Sequence, residues 1–180
     1  MVGEIAGSAT ILLAEPLKAM RQVIKSGIRG VLGGDAMTFI DAEDGSSALV
    51  ELAARGKPVD IALVDWEMAP MDGSCYLHAL RNVREYQIHR TTPVIVITGD
   101  ALPEVMNAAL RLGANSFMPK PVAPATLAAR INAIVKGKTE FVMVEGGLGD
   151  GAPFIGPLSK WSFEVFIRPA QAEKRRILRL

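Results

Sequence analysis

The stretch Pro58 to Gly73, PVDIALVDWEMAPMDG, runs an apolar segment straight into a carboxylate and then into turn residues. Ile61, Ala62, Leu63 and Val64 read as a strand buried on both faces, because no polar residue interrupts the run to mark a solvent side. Strands of that kind belong to parallel sheets covered by helices. Asp65 then falls at the carboxyl end, where open α/β sheets place their ligand crevice. An acid there is a functional candidate, although the same residue can simply cap the turn that follows it.

Working outward, the same grammar repeats. TILLA, from Thr10 to Ala14, is a short apolar strand that ends in Glu15. Pro16 suits the first turn of a helix, and Leu17, Met20, Val23, Ile24 and Ile28 recur at helical spacing until glycines at 30, 33 and 34 break the pattern. Met37 to Ala42 reads as a second strand, and Asp44-Gly45-Ser46 introduces a short amphipathic helix carrying Ala48, Leu49, Leu52 and Ala53. Past the turn at Met71-Asp72-Gly73, Tyr76, Leu77, Leu80 and Val83 mark a third helix. PVIVIT, Pro93 to Thr98, is a fourth strand, and Pro103 opens a helix striped by Val105, Met106, Ala109 and Leu112 with Gly113 as its cap. A short fifth strand, Asn115 to Met118, leads into Lys120-Pro121 and a last helix with Leu127, Ile131, Ile134 and Val135.

Five strands alternating with five helices predict an α/β, doubly wound parallel sheet, and right-handed crossovers leave few topologies. The flavodoxin-like order 2-1-3-4-5 is the expected one. It sets the first and third strands side by side, so that Glu15 and Asp65 converge. Thr98 and Lys120 open onto the same edge, and an acid pair, a hydroxyl and an ammonium surround one point.

Composition narrows the classes. The 180 residues suit one compact domain with some chain left over. Hydrophobic content is 49%, yet no uninterrupted apolar run approaches the roughly 18 residues of a membrane-spanning helix. The opening MVGEIAGSAT has neither the charged leader nor the apolar block of a secretory signal, so a cytoplasmic location is expected. With 20 Lys+Arg against 19 Asp+Glu, nothing draws the whole chain to nucleic acid or anionic lipid. Cys75 is the single cysteine and has no partner at a metal spacing; core filling is its expected role. His78 and His89 are expected to lie away from the carboxylates.

DWEMAPMDG around Asp65, VIVITGDA around Thr98, FMPKP around Lys120 and EDGSSALVEL from Glu43 to Leu52 together resemble the receiver domain of bacterial two-component response regulators, over roughly residues 9 to 136. The resemblance implies a stand-alone, single-domain regulator in a phosphorelay. Asp65 would be the phosphoacceptor, fed by a sensor histidine kinase or a histidine phosphotransfer protein. Mg²⁺ would be held by Glu15, Asp65 and the backbone carbonyl of Glu67. Lys120 would supply further positive charge and Thr98 a hydroxyl. Phe117 would turn inward with Thr98 and reshape the face of the fourth helix, fifth strand and fifth helix, where a downstream protein binds; plain core packing explains Phe117 equally. The protein would be no enzyme, only a phosphoacceptor contributing to its own phosphorylation and dephosphorylation. The Lys120-Pro121 bond is expected to be cis.

Two departures stand out. Family members usually carry two adjacent acids after the first strand, whereas Glu15 is followed here by Pro16, and Ala69 replaces a usual proline. Loss of one acid weakens the expected Mg²⁺ site. It also keeps a second reading open, a pseudo-receiver that binds partners without phosphorylation. A flavin- or nucleotide-binding protein of similar fold is disfavoured because EPLKAM has no glycine or hydroxyl to cradle a phosphate.

Residues 137–180 read as a linker and tail with no recognisable output or DNA-binding domain. Glycines at 146, 147, 149 and 151 suggest a flexible linker, SFEVFIR alternates like a strand, and KRRILRL reads as a solvated basic end. Two pieces, EFV at 140–142 and FIGP at 154–157, faintly resemble the tail of some stand-alone receivers.

Overall fold

The computed structural model describes residues 9–33, 37–137, 139–146 and 153–180. Over the first two of these ranges the expected alternation is observed. β1 (Ala9–Ala14), β2 (Met37–Ala42), β3 (Ile61–Asp65), β4 (Val94–Thr98) and β5 (Ser116–Pro119) form one parallel sheet in the order β2-β1-β3-β4-β5. Between them run α1 (Lys18–Leu32), α2 (Gly45–Ala53), α3 (Gly73–Asn82) and α4 (Pro103–Arg111), and α5 (Pro124–Lys136) follows β5.

The period of two along each strand divides its residues between the two helical layers. Ile11, Leu13, Ile61, Leu63, Ile95 and Ile97 pack with Ile28 of α1 and Leu127 and Ile131 of α5. Leu12, Ala62, Val64, Val94 and Val96 pack with Leu49 of α2, Leu77 of α3 and Ala109 of α4. Burying each such Leu, Ile or Val fully is worth about 1.5–3 kcal/mol, so the apolar runs hold the layers together.

Local signals set the helix ends. Asp44 Oδ1 accepts from Ser47 N at 2.8 Å while Ser47 Oγ accepts from Asp44 N at 3.1 Å, a capping box that starts α2. Asp72 caps α3 by accepting from Cys75 N at 2.8 Å. Pro103 and Pro124 stand in the first turns of α4 and α5. Two expectations shift. Gly30 lies inside α1, which ends only where Gly33 turns to φ +88°. Cys75 is exposed rather than core filler, because Tyr76 and Leu77 take the inward positions of α3.

Beyond α5, β6 (Phe141–Val144), β7 (Phe154–Pro157) and β8 (Ile177–Arg179) form an antiparallel sheet with β6 in the centre. The two faintly family-like pieces thus meet as β6 and β7. SFEVFIR is helical, not a strand. Residues 160–172 form one continuous helical segment, α6 (Lys160–Ser162), a π turn (Phe163–Ile167) and α7 (Arg168–Ala172). Ser159 and Ser162 cap its start reciprocally, and Phe166, Ile167 and Ala170 are buried at helical spacing while Phe163 faces outward. Phe166 stacks on Phe154 with centroids 4.0 Å apart. Part of the basic end is ordered as well, since Ile177–Arg179 is β8. The glycine-rich stretch read as a linker lies largely outside the described residues.

Candidate functional site

Parallel pairing of β1 with β3 sets Leu13 opposite Leu63 and Ala14 opposite Val64, so Glu15 and Asp65 leave the sheet at neighbouring strand ends. Lys120 follows β5 and reaches across both. Its Nζ donates to Asp65 Oδ2 at 2.6 Å and to Glu15 Oε2 at 2.7 Å. Glu15 and Asp65 are only 3% and 6% exposed. Each remaining carboxylate oxygen has a backbone donor: Leu17 N to Glu15 Oε1 at 3.0 Å and Glu67 N to Asp65 Oδ1 at 3.2 Å. Burial disfavours the Lys120 charge, but the hydrogen bonds and charges of Asp65 and Glu15 outweigh it and hold the ammonium's pKa above its ordinary value. The triad therefore carries one uncompensated negative charge around a shared cation.

The chain closes up around Asp65. Gly73 begins α3 so near the end of β3 that a Cβ there would come within 2.7 Å of the Asp65 carbonyl oxygen. The Lys120-Pro121 bond is cis, as expected, and so is Ala69-Pro70.

Thr98 and Glu67 reach the triad through their backbones, Lys120 N donating to the Thr98 carbonyl at 2.6 Å and Glu67 N to Asp65 Oδ1, while their side chains lie elsewhere. Thr98 is fully buried, and its hydroxyl donates to the Asp100 carbonyl at 3.2 Å and accepts from Asp100 N at 3.0 Å. Its side chain is thus engaged with the loop after β4. Phe117 is half-buried and packs against the α2–α3–α4 side of the core, opposite Val96 in the β4–β5 ladder. The Glu67 side chain is exposed at the rim. A broad cleft of about 700 Å³ opens there, lined by Pro16, Trp66, Glu67, Met68, Asp72 and Asp100. His78 is exposed on α3, and buried His89 lies in the loop before β4, so neither joins the carboxylates.

One residue near the site was not singled out from sequence. Arg21 of α1 is buried and its NH1 donates to the carbonyls of Glu15 at 2.5 Å and Pro16 at 3.2 Å, holding the turn that carries Glu15. Asp41 and Glu43 approach the same guanidinium at 3.7 and 3.5 Å. No sequence signal marks it: Leu17, four positions earlier, is itself exposed, and a cation on an amphipathic helix reads as a solvated one.

Oxygen donors on neighbouring strand ends, converging on one cation position, fit a hard divalent ion such as Mg²⁺. The donor set is sparse: Pro16 contributes no side-chain oxygen, and among the described residues no group of three or more His, Cys, Asp or Glu side chains could hold a metal.

Residues 11–132 match the response regulator receiver domain family. The chain belongs to that family, whose members are phosphoacceptors in two-component phosphorelay signalling rather than enzymes of the usual kind. A two-component response regulator of rice (Oryza sativa subsp. japonica), ORR41, is 31% identical over 112 residues, which are 62% of this chain and 83% of the relative. The chemotaxis protein CheY-3 of Vibrio cholerae is 29% identical over 124 residues, 69% of this chain and 89% of that protein. Among solved structures, the receiver domain of the Francisella response regulator 1452 matches with a TM-score of 0.61 and 26% identity over 72% of this chain and 98% of its own. Among the described residues no helix is long and apolar enough to cross a membrane.

Proposed function

We propose that this chain accepts a phosphoryl group on Asp65 from the phosphohistidine of a sensor histidine kinase or a histidine phosphotransfer protein, and signals through protein contacts in the cytoplasm. The observation that carries this reading is the shared ammonium: Lys120 Nζ lies 2.6 Å from Asp65 and 2.7 Å from Glu15 at the carboxyl edge of the sheet. A carboxylate oxygen of Asp65 forms the new P–O bond as the donor's P–N bond breaks, with the electron pair returning to the imidazole nitrogen. Lys120 then follows the negative charge from the carboxylate to the phosphoryl oxygens. Thr98 donates its hydroxyl to a phosphoryl oxygen after leaving the Asp100 carbonyl, and Phe117 moves into the space this opens. That motion reshapes the α4–β5–α5 face for a downstream protein.

Glu15, Asp65 and the Glu67 carbonyl are the residues that would hold Mg²⁺, which when bound neutralises charge on the transferring phosphoryl group. Arg21 keeps the Glu15 turn in place, and Gly73 lets α3 close against the Asp65 strand end.

Pro16 favours a second reading, a pseudo-receiver in which Lys120 alone satisfies both acids and partners bind without phosphate. Incubation of the full chain with a small acyl-phosphate donor and Mg²⁺, followed by intact-mass measurement, separates the two. The expected result is a gain of one phosphoryl group by the wild type and none by Asp65→Asn. A wild type that gains nothing leaves the pseudo-receiver, and an Asp65→Asn protein that still gains the mass moves the acceptor elsewhere.

A further inference from the structure

The family match ends at residue 132, yet the segment beyond α5 is docked against the receiver through its backbone. Gly113, at φ +89°, follows α4; a Cβ on it would come within 2.1 Å of the Ile155 carbonyl oxygen of β7. From the other side, a Cβ on Gly156 would stand 2.9 Å from the Gly113 Cα. Two glycines therefore meet with no room for a side chain on either. Arg81 of α3 fastens the same point. Its Nε and NH2 donate to the Gly113 carbonyl at 3.3 and 2.8 Å, and its NH1 donates to the carbonyls of Arg90 at 2.6 Å and Thr92 at 2.9 Å. The guanidinium also lies 5.0 Å over the ring of Phe141 in β6.

Gly113 stands at the opposite end of β5 from the acid triad. From it the chain runs through Asn115, whose N–H and Oδ1 pair with the backbone of Val94 at 2.8 and 3.0 Å, along β5 and into Lys120. β5 itself covers four residues, about 13 Å at about 3.3 Å per residue, and is reached from the turn at Gly113 through a bend at Asn115. Among the described residues β5 is the edge strand and pairs only with β4, so one ladder restrains it along its length. A displacement of Lys120 would pass along this strand to a glycine contact packed too closely to absorb it.

We propose that residues 139–180 are an effector element of this receiver, reading the state of the Asp65 site in cis through β5 and the Gly113–Gly156 contact. The proposal rests on Asp65 being the phosphoacceptor; binding of a separate downstream protein to the α4–β5–α5 face is compatible with it. Phosphorylation draws Lys120 towards the phosphoryl oxygens, β5 follows, and the β6–β7–β8 sheet loosens or repositions on the receiver.

Hydrogen exchange read by mass spectrometry on the full chain tests this, with and without the acyl-phosphate donor and Mg²⁺, each sample checked by intact mass. Amides of 141–144 and 154–156 are expected to change exchange rate about threefold or more on phosphorylation of the wild type, and not in Asp65→Asn treated alike. A confirmed gain of mass with unchanged exchange in those segments overturns the proposal. Absence of any mass gain defeats the phosphoacceptor reading instead, and the reciprocal arm then decides the coupling. Gly156→Ala, which forces the two glycines apart, is expected to raise exchange at residues 116–120 about threefold or more in untreated protein, and unchanged exchange there overturns the coupling. Cooperative thermal unfolding verifies that the variant folds; failing that, Phe141→Leu, which removes the ring from Arg81 and leaves the glycines intact, is read in the same way.

Discussion

The two ends of the central sheet are held by different physics. At the carboxyl end, two carboxylates share one cation, and Lys120 keeps 24% of its side chain exposed. At the amino end, Arg81 is buried against backbone carbonyls, Phe141 covers it, and two glycines touch. Ion pairing over a few ångströms is easily redistributed when a new charge arrives, because each partner can exchange one oxygen for another. Backbone contacts between glycines cannot be exchanged; they hold or they part. The difference assigns chemistry to one rim and attachment to the other, with β5 joining the two.

Removing the shared cation should break the comparison most visibly. Lys120→Ala leaves two buried carboxylates facing one another, and stripping one partner from a buried pair costs about 3–5 kcal/mol. Denaturant unfolding at neutral pH measures it; a loss under about 1 kcal/mol would class the triad with exposed surface pairs. The pH dependence has a definite sign. Because the folded state raises the Lys120 pKa, the triad's stabilisation is fully present below the ordinary lysine value of 10.5 and fades only as pH climbs through the higher folded value. The gap between wild type and variant should therefore be flat across neutral pH and narrow above it.

A paired substitution at the other rim isolates the attachment. Gly33 and Gly113 both have positive φ, +88° and +89°, but among the described residues Gly33 has nothing within 4 Å of a Cβ position whereas Gly113 meets the Ile155 carbonyl. With ψ at 135°, Gly33 lies outside the left-handed helical well, so Gly33→Ala should cost about 1–3 kcal/mol from backbone strain alone. Gly113→Ala should cost about 2 kcal/mol more, since a backbone carbonyl must move. Equal losses in thermal unfolding would show that the β7 contact contributes nothing to stability.

What could be read from sequence follows the same division. Strand ends are marked by an abrupt change from apolar run to acid, so Glu15, Asp65 and Lys120 were legible, and the strand order then forced them together. The Thr98 position was legible too, but not the direction of its hydroxyl, because a bond to Asp100 two residues away depends on loop geometry that no periodicity encodes. Arg21 and Arg81 were hidden because a cation on an amphipathic helix looks like a solvated one unless its carbonyl partners are known. SFEVFIR misled because alternation over so few residues is also compatible with a helix whose cap, Ser159–Ser162, lies mostly outside the alternating window. The family-like residues of the β6 and β7 strands were visible as words, whereas their contact with Gly113 was not.

The smallest expected effect sharpens the charged rim alone. Pro16 follows Glu15 where the family usually has a second acid, and it lines the cleft that opens outside the triad. Pro16→Asp adds a hard oxygen ligand next to Glu15 without touching Lys120 or the Arg21 hydrogen bond to the backbone carbonyl at position 16. Two unit charges about 4 Å apart exchange roughly 1 kcal/mol in water, so Mg²⁺ should bind about fivefold more tightly or better. Trp66 lines the same cleft, and its fluorescence reports the titration directly. Bound Mg²⁺ competes with Lys120 for the acids, so the gain must appear as a tighter metal isotherm with little change in metal-free unfolding. An isotherm identical to the wild type would mean that the added carboxylate never enters the donor set, and that Glu15 and Asp65 already supply all the side-chain charge this rim can direct at a cation.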